Sequence, residues 1–159
     1  MDLFPTGGVI PILVLLPNLL IVFFPPKTLV NDSSTSSRLK IISIIERVGQ
    51  IGCIIIPFFY QIHISTMTDK VVAGSMIGIL AIYYAGWIRY LIKGRGEEWF
   101  YRPMVGIWLP MVIVPVVYFL FSSFLLKTIL LLMATLIFAI GHITVSWFQY
   151  REINKMLAS

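Results

Sequence analysis

The sequence predicts an all-α integral membrane protein: one bundle of five transmembrane helices, with its N-terminus outside and its C-terminus in the cytoplasm. Three observations carry that prediction. Hydrophobic residues fill 58% of the 159 positions and charged residues only 12%, about half of the roughly 25% that coats a soluble domain. The apolar residues collect in five continuous runs, each close to the ~20 residues that cross a bilayer as helix. The basic residues lie between those runs, dense in every second connection.

The first run, 7–24, contains Pro11, Pro17 and Asn18 and is expected to be kinked or partly re-entrant. No Lys or Arg precedes Lys27 and the run ends in Phe23, Phe24, Pro25 and Pro26, so it reads as a retained span and not as a cleaved signal peptide. Residues 25–40 include a Ser/Thr-rich stretch expected to form a mobile cytoplasmic linker. The second and third spans are expected at 41–62 and 71–92. The fourth, 104–121, holds Pro110 and Pro115 with Pro103 just before it, which predicts a bent helix. The fifth is expected at 128–148. Helix is the required state because a lone strand leaves its backbone groups unsatisfied in hydrocarbon. A closed barrel is excluded by the absence of alternating polarity.

Orientation follows from the loops. Lys27, Arg38 and Lys40 occupy the first connection and Lys93, Arg95 and Arg102 the third, whereas the second and fourth hold only Lys70 and Lys127; the tail carries Arg151 and Lys155. Basic short loops stay in the cytoplasm, which places both rich connections and the tail inside, in the plasma (inner) membrane. An odd number of spans then puts the N-terminus outside.

Ionisable groups within spans are costly and mark candidate sites. Glu46 lies about 8 Å from the inner end of its span, Arg89 about 5 Å, and His142 and Asn18 about 9 Å each, so all four are expected in one layer of the cytoplasmic half. Helical periodicity puts Glu46, Gly49, Gln50, Cys53, Pro57 and Tyr60 on one stripe of the second span, and Thr135, Ala139, His142, Ser146 and Gln149 on one stripe of the fifth. In the third span Gly74, Gly78 and Gly86 provide a small-residue face for close helix packing, including the contact surface of a homodimer or of another membrane subunit.

These residues predict a polar cavity in which Glu46 pairs with Arg89, while His142, Asn18 and Gln50 complete the wall. A surplus of positive charge there would favour a small anionic solute or a lipid headgroup. The expected function is that of a transporter or a solute-binding membrane protein. The alternative is an accessory or structural subunit in which the same polar groups fix helix register, with an intramembrane lipid-modifying enzyme as a third reading. The stripe of Ile79, Tyr83, Trp87 and Tyr90 reads as packing or as an interface belt. No metal or cofactor is expected: Cys53 stands alone, His63 and His142 fall on opposite sides, and no zinc-protease, hydrolase-elbow or dithiol motif occurs. Nucleic acid is not an expected partner, because the basic residues flank apolar runs instead of forming one patch.

Overall fold

The computed structural model describes residues 6–26 and 37–158. Within them the chain is all α-helical, apart from short connections and one isolated bridge between Met104 and Ile107. A 3₁₀ turn, Thr6–Gly8, leads into α1 (Val9–Asn18) and, after a break at Leu19, α2 (Leu20–Phe23). Then come α3 (Ser37–Ile55), a 3₁₀ turn (Ile56–Phe59), α4 (Met67–Ile92), the one-turn α5 (Glu98–Tyr101), α6 (Pro110–Leu125) and α7 (Ile129–Ala158).

Local chemistry accounts for most of these boundaries. Pro17 has no N–H to offer the Leu13 carbonyl four residues back; the Tyr84 hydroxyl donates to that carbonyl instead, at 2.9 Å. The first run is interrupted at Leu19, two residues after Pro17, where the backbone keeps a helical φ of −61° and ψ of −22°. Pro57 ends α3 in the same way, so the helix stops well short of the expected residue 62. Thr66 and Asp69 form a reciprocal capping box that starts α4 at Met67. At its other end Gly94 takes φ +89° and the Arg95 amide bonds the Tyr90 carbonyl at 3.1 Å, the six-to-one bond of a Schellman ending.

Other boundaries differ from the sequence expectation. The fourth helix begins at Pro110 and not near 104, because Val105 and Gly106 both take positive φ, 53° and 73°, in a tight turn closed by two bonds between Met104 and Ile107. Pro110 then occupies the first helical turn, where a missing N–H costs nothing. The fifth helix runs past 148 to Ala158, since its last turns are polar but helix-compatible, with Lys155 and Glu152 paired at 2.7 Å. α3 likewise begins at Ser37, inside the expected 25–40 linker; residues 27–36 of that linker lie outside the described residues.

Four segments are long and apolar enough to cross a membrane: Thr6–Phe23, Leu39–Phe59, Met67–Ile92 and Ile129–Met156. α6 is shorter, at 16 residues, and ten of them are buried. It lies between α4 and α7, and α3 packs along α7. The core gathers around it: Tyr118 and Phe119 of α6, Tyr83, Trp87 and Tyr90 of α4, Leu131 and Phe138 of α7, Cys53 of α3, and Ile10 and Val14 of α1. Outward-facing side chains such as Ile44, Val48, Ile77, Ile92, Leu130 and Ile140 are all exposed. An apolar coat of this extent is foreign to a water-soluble monomer and fits a multi-pass membrane protein.

Contacts at the ends fix the relative directions of the helices. The Gly7 amide meets the Tyr60 carbonyl at 3.0 Å, and Lys127 pairs with Asp69 at 3.3 Å. Toward the opposite ends of these helices, Tyr90 donates to the Phe24 carbonyl at 2.9 Å and Tyr101 to Gln149 Oε1 at 2.8 Å. Successive long segments therefore run in alternating directions.

Candidate functional site: an aromatic cavity with a Glu46–His142 pair

The site begins with a close approach of two helices. A Cβ added at Gly141 of α7 would lie 2.6 Å from Glu46 Cα and 2.7 Å from its amide nitrogen. A Cβ at Gly49 would collide with the Phe138 backbone, and one at Gly52 would stand 2.8 Å from Ala134 Cβ. Small residues on both helices thus let the two backbones touch. Below this crossing Cys53 Sγ lies 3.6 Å from Thr135 Oγ1. The polar stripes expected on the second and fifth spans face each other.

Glu46 is held there against His142, with Oε1 2.6 Å from Nδ1, and their side chains are only 19% and 24% exposed. The imidazole stacks on Phe138 at 4.7 Å between ring centroids. The pair forms part of the wall of a cavity of about 310 Å³, which also touches Asn18, Gln50, Trp87 and Tyr101. That volume is at the lower end of the range for small-molecule pockets.

Asn18, Glu46, Gln50 and His142 therefore share one cavity. Arg89 does not join them. The expected Glu46–Arg89 pair is replaced by Glu46–His142, and Arg89 Nη1 donates to the carbonyls of Arg102 at 3.3 Å and Pro103 at 2.9 Å. The physical reason is the length of the guanidinium arm near the end of α4: it reaches the loop carbonyls at the helix end, where it meets less desolvation than in the bundle. Among the described residues no Lys or Arg lines the cavity, so the surplus of positive charge expected there is not found in its described wall.

Of the glycines, Gly86 packs against Met111 of α6, whereas a Cβ at Gly74 or Gly78 would meet nothing within 4 Å. The backbone-to-backbone packing of α3 on α7 runs through Gly49, Gly52 and Gly141, and among the described residues nothing closes on Gly74 or Gly78.

Aromatic side chains form much of the cavity wall. Tyr83, Trp87, Phe100, Tyr101, Phe119 and Phe138 all line the cavity. The spacing of Tyr83 and Trp87 on one face of α4 was a signal for two of them. Phe100 and Tyr101 arrive only because α5 folds back onto the bundle, where Phe100 stacks on Tyr90 at 4.5 Å. Asn18 is fixed by the Tyr83 hydroxyl, which donates to its Oδ1 at 2.7 Å. Burial, and then the Glu97 and Glu46 carboxylates, push the Tyr101 phenol above its ordinary value, so it remains a neutral donor to Gln149. Trp87 is 3% exposed, and among the described residues its buried Nε1 makes no hydrogen bond of ordinary geometry, although the Tyr83 hydroxyl lies close enough to interact with it. A buried donor left unmade is costly, and this one stands beside a cavity.

Among the described residues no group of three or more His, Cys, Asp and Glu could hold a metal ion. The arrangement suits reversible binding: a carboxylate–imidazole pair able to hold or pass a proton, amide and indole hydrogen-bonding groups, and aromatic walls. Comparison with protein-family models, curated proteins and solved structures yields no match for this chain.

Proposed function

We propose that this chain is a five-pass membrane protein that binds a small solute in the aromatic cavity and carries it across the bilayer. The observation that supports this most is the Glu46–His142 pair, 2.6 Å apart, on the wall of a cavity about 310 Å³ in volume. Among the described residues Glu46 is the one carboxylate of the lining, and no Lys or Arg joins it. The complementary solute is small, cationic or neutral, with an apolar or aromatic body to lie against the rings and an acceptor for the Trp87 indole.

Five crossings follow if α6 counts as a span. At about 1.5 Å per residue it is roughly 24 Å long, short of the ~30 Å hydrocarbon thickness. Ten of its residues are buried by neighbours, and a helix wrapped in protein need not match the lipid on its own. The charge bias of the connections supports an N-terminus outside and a C-terminus in the cytoplasm.

The test is a thermal-shift screen of the purified protein against small organic amines and neutral aromatic solutes, followed by uptake into proteoliposomes. At least one solute is expected to raise the melting temperature. Glu46→Gln is expected to abolish that rise and the uptake while the protein still inserts. The reading fails if no solute shifts the melting temperature, or if Glu46→Gln responds like the native chain.

A second reading has its own support. The Glu46–His142 pair sits beside the Gly141 close approach, as a lock on helix register would. A structural or accessory subunit built this way loses stability with no ligand present when either partner is replaced, and regains it when the two are exchanged (Glu46→His with His142→Glu).

A further inference from the structure

A second cluster lies away from the cavity, on the α4–α5 connection. The Trp99 ring is approached by three cations: Arg102 Cζ at 4.6 Å from its centroid, Arg89 Cζ at 4.8 Å and Lys93 Nζ at 5.8 Å. None of the three has an ion-pair partner among the described residues. Glu97 and Glu98 occur on the same connection, but neither carboxylate comes within ion-pair distance of these cations. Arg89 uses one nitrogen on the carbonyls of Arg102 and Pro103, which ties the loop to the helix and holds Arg102 near the ring. Lys93 and Arg102 are exposed.

Three like charges drawn to one ring repel one another, and cation–π attraction at exposed positions is weak. The arrangement is complete when an anion sits between them. The adjoining surface identifies what carries that anion. Ile88 and Ile92 project from the same end of α4, 56% and 75% exposed, and Val105 on the neighbouring turn is 75% exposed. A cluster of cations bordering bare aliphatic surface fits a molecule with an anionic head and hydrocarbon tails.

We propose that Arg89, Lys93 and Arg102, arrayed around Trp99, form a binding site for the phosphate headgroup of an anionic phospholipid, whose acyl chains lie along Ile88 and Ile92. The guanidinium of Arg102 offers paired donors to phosphate oxygens, and Lys93 adds a mobile point charge. The C-terminal end of α4 carries the negative pole of the helix dipole, so Arg89 and Lys93 are held there even before lipid arrives. This site is independent of the aromatic cavity, and neither reading requires the other.

The experiment uses the full chain purified in neutral detergent. Phosphatidylglycerol, phosphatidylcholine with the same acyl chains, and inorganic phosphate are added separately while the melting temperature is recorded. Retained lipid is counted by native mass spectrometry. The expected result is a rise with phosphatidylglycerol alone and at least one such lipid retained per chain. Lys93→Gln combined with Arg102→Gln is expected to remove more than half of both signals. Because a double variant can fail to fold, Lys93→Gln is measured by itself, and a partial loss of retained phosphatidylglycerol is expected. Equal stabilisation by phosphatidylcholine overturns the proposal, as does equal stabilisation by inorganic phosphate. Full lipid retention in a folded double variant overturns it too.

Discussion

Gly141 presses on the main chain of Glu46: no side chain fits between them, since a Cβ would come within 2.6 Å of Glu46 Cα. One residue further on, His142 takes the Glu46 carboxylate at 2.6 Å. The hydrogen bond and the backbone contact depend on each other, because the short arms of Glu and His reach only when the helices touch. Gly141→Val is expected to force α3 and α7 apart and to destabilise the protein by about 1–3 kcal/mol, the usual cost of overpacking. Chemical unfolding in detergent measures it. A variant as stable as the native chain would mean that the crossing is loose.

The pair itself is open to a double-mutant cycle. Glu46→Ala and His142→Ala are each expected to destabilise, with a coupling of about 0.6–1.7 kcal/mol, the span seen for polar contacts between membrane helices. Strict additivity of the two losses contradicts a direct interaction.

Tyr84 compensates for a proline. Its hydroxyl donates to the Leu13 carbonyl, which Pro17 cannot serve. Tyr84→Phe is therefore expected to cost about 1 kcal/mol. In a Pro17→Ala background, where residue 17 regains its N–H, the same change is expected to cost much less. Equal costs in both backgrounds would show that the hydroxyl acts elsewhere.

Val105 is a β-branched residue at φ 53°, a region that such side chains rarely enter. Asn tolerates the left-handed conformation better and suits the first position of this kind of turn. Val105→Asn is expected to stabilise by about 1 kcal/mol, visible as a higher melting temperature. A lower one would show that the Val105 side chain contributes packing that outweighs its backbone strain.

Much of the fold could be read along the chain. The apolar runs marked the long helices, the prolines marked the first run as irregular, and periodicity marked the faces of α3 and α7 that meet; Pro57, which ends α3, lies inside the expected second span. The boundaries that moved did so where hydropathy is blind. Residues 104–109 are as apolar as a span, yet they form a turn and a left-handed entry to α6, with Leu109 at φ 56°. Residues 149–158 are polar and yet continue α7 as helix.

The candidate site divides in the same way. Asn18, Glu46, Gln50 and His142 were legible because a polar group in an apolar run stands out by itself. The partner of Glu46 was not, since Arg89 and His142 lay at similar depth and depth alone does not choose between them. The crossing at Gly49 and Gly141 chose His142, and the loop carbonyls claimed Arg89.

What the sequence alone determined is therefore what acts along one helix: helical state, apolar length and which face is polar, all set by hydrogen-bond satisfaction in hydrocarbon and by a 3.6-residue period. Tertiary structure decided what depends on the distance between helices: the partner of Glu46, the aromatic walls supplied by α5, α6 and α7, and the convergence of three cations on Trp99. Those distances follow from close contacts between residues far apart in the chain, and hydropathy and periodicity along a single helix do not record them.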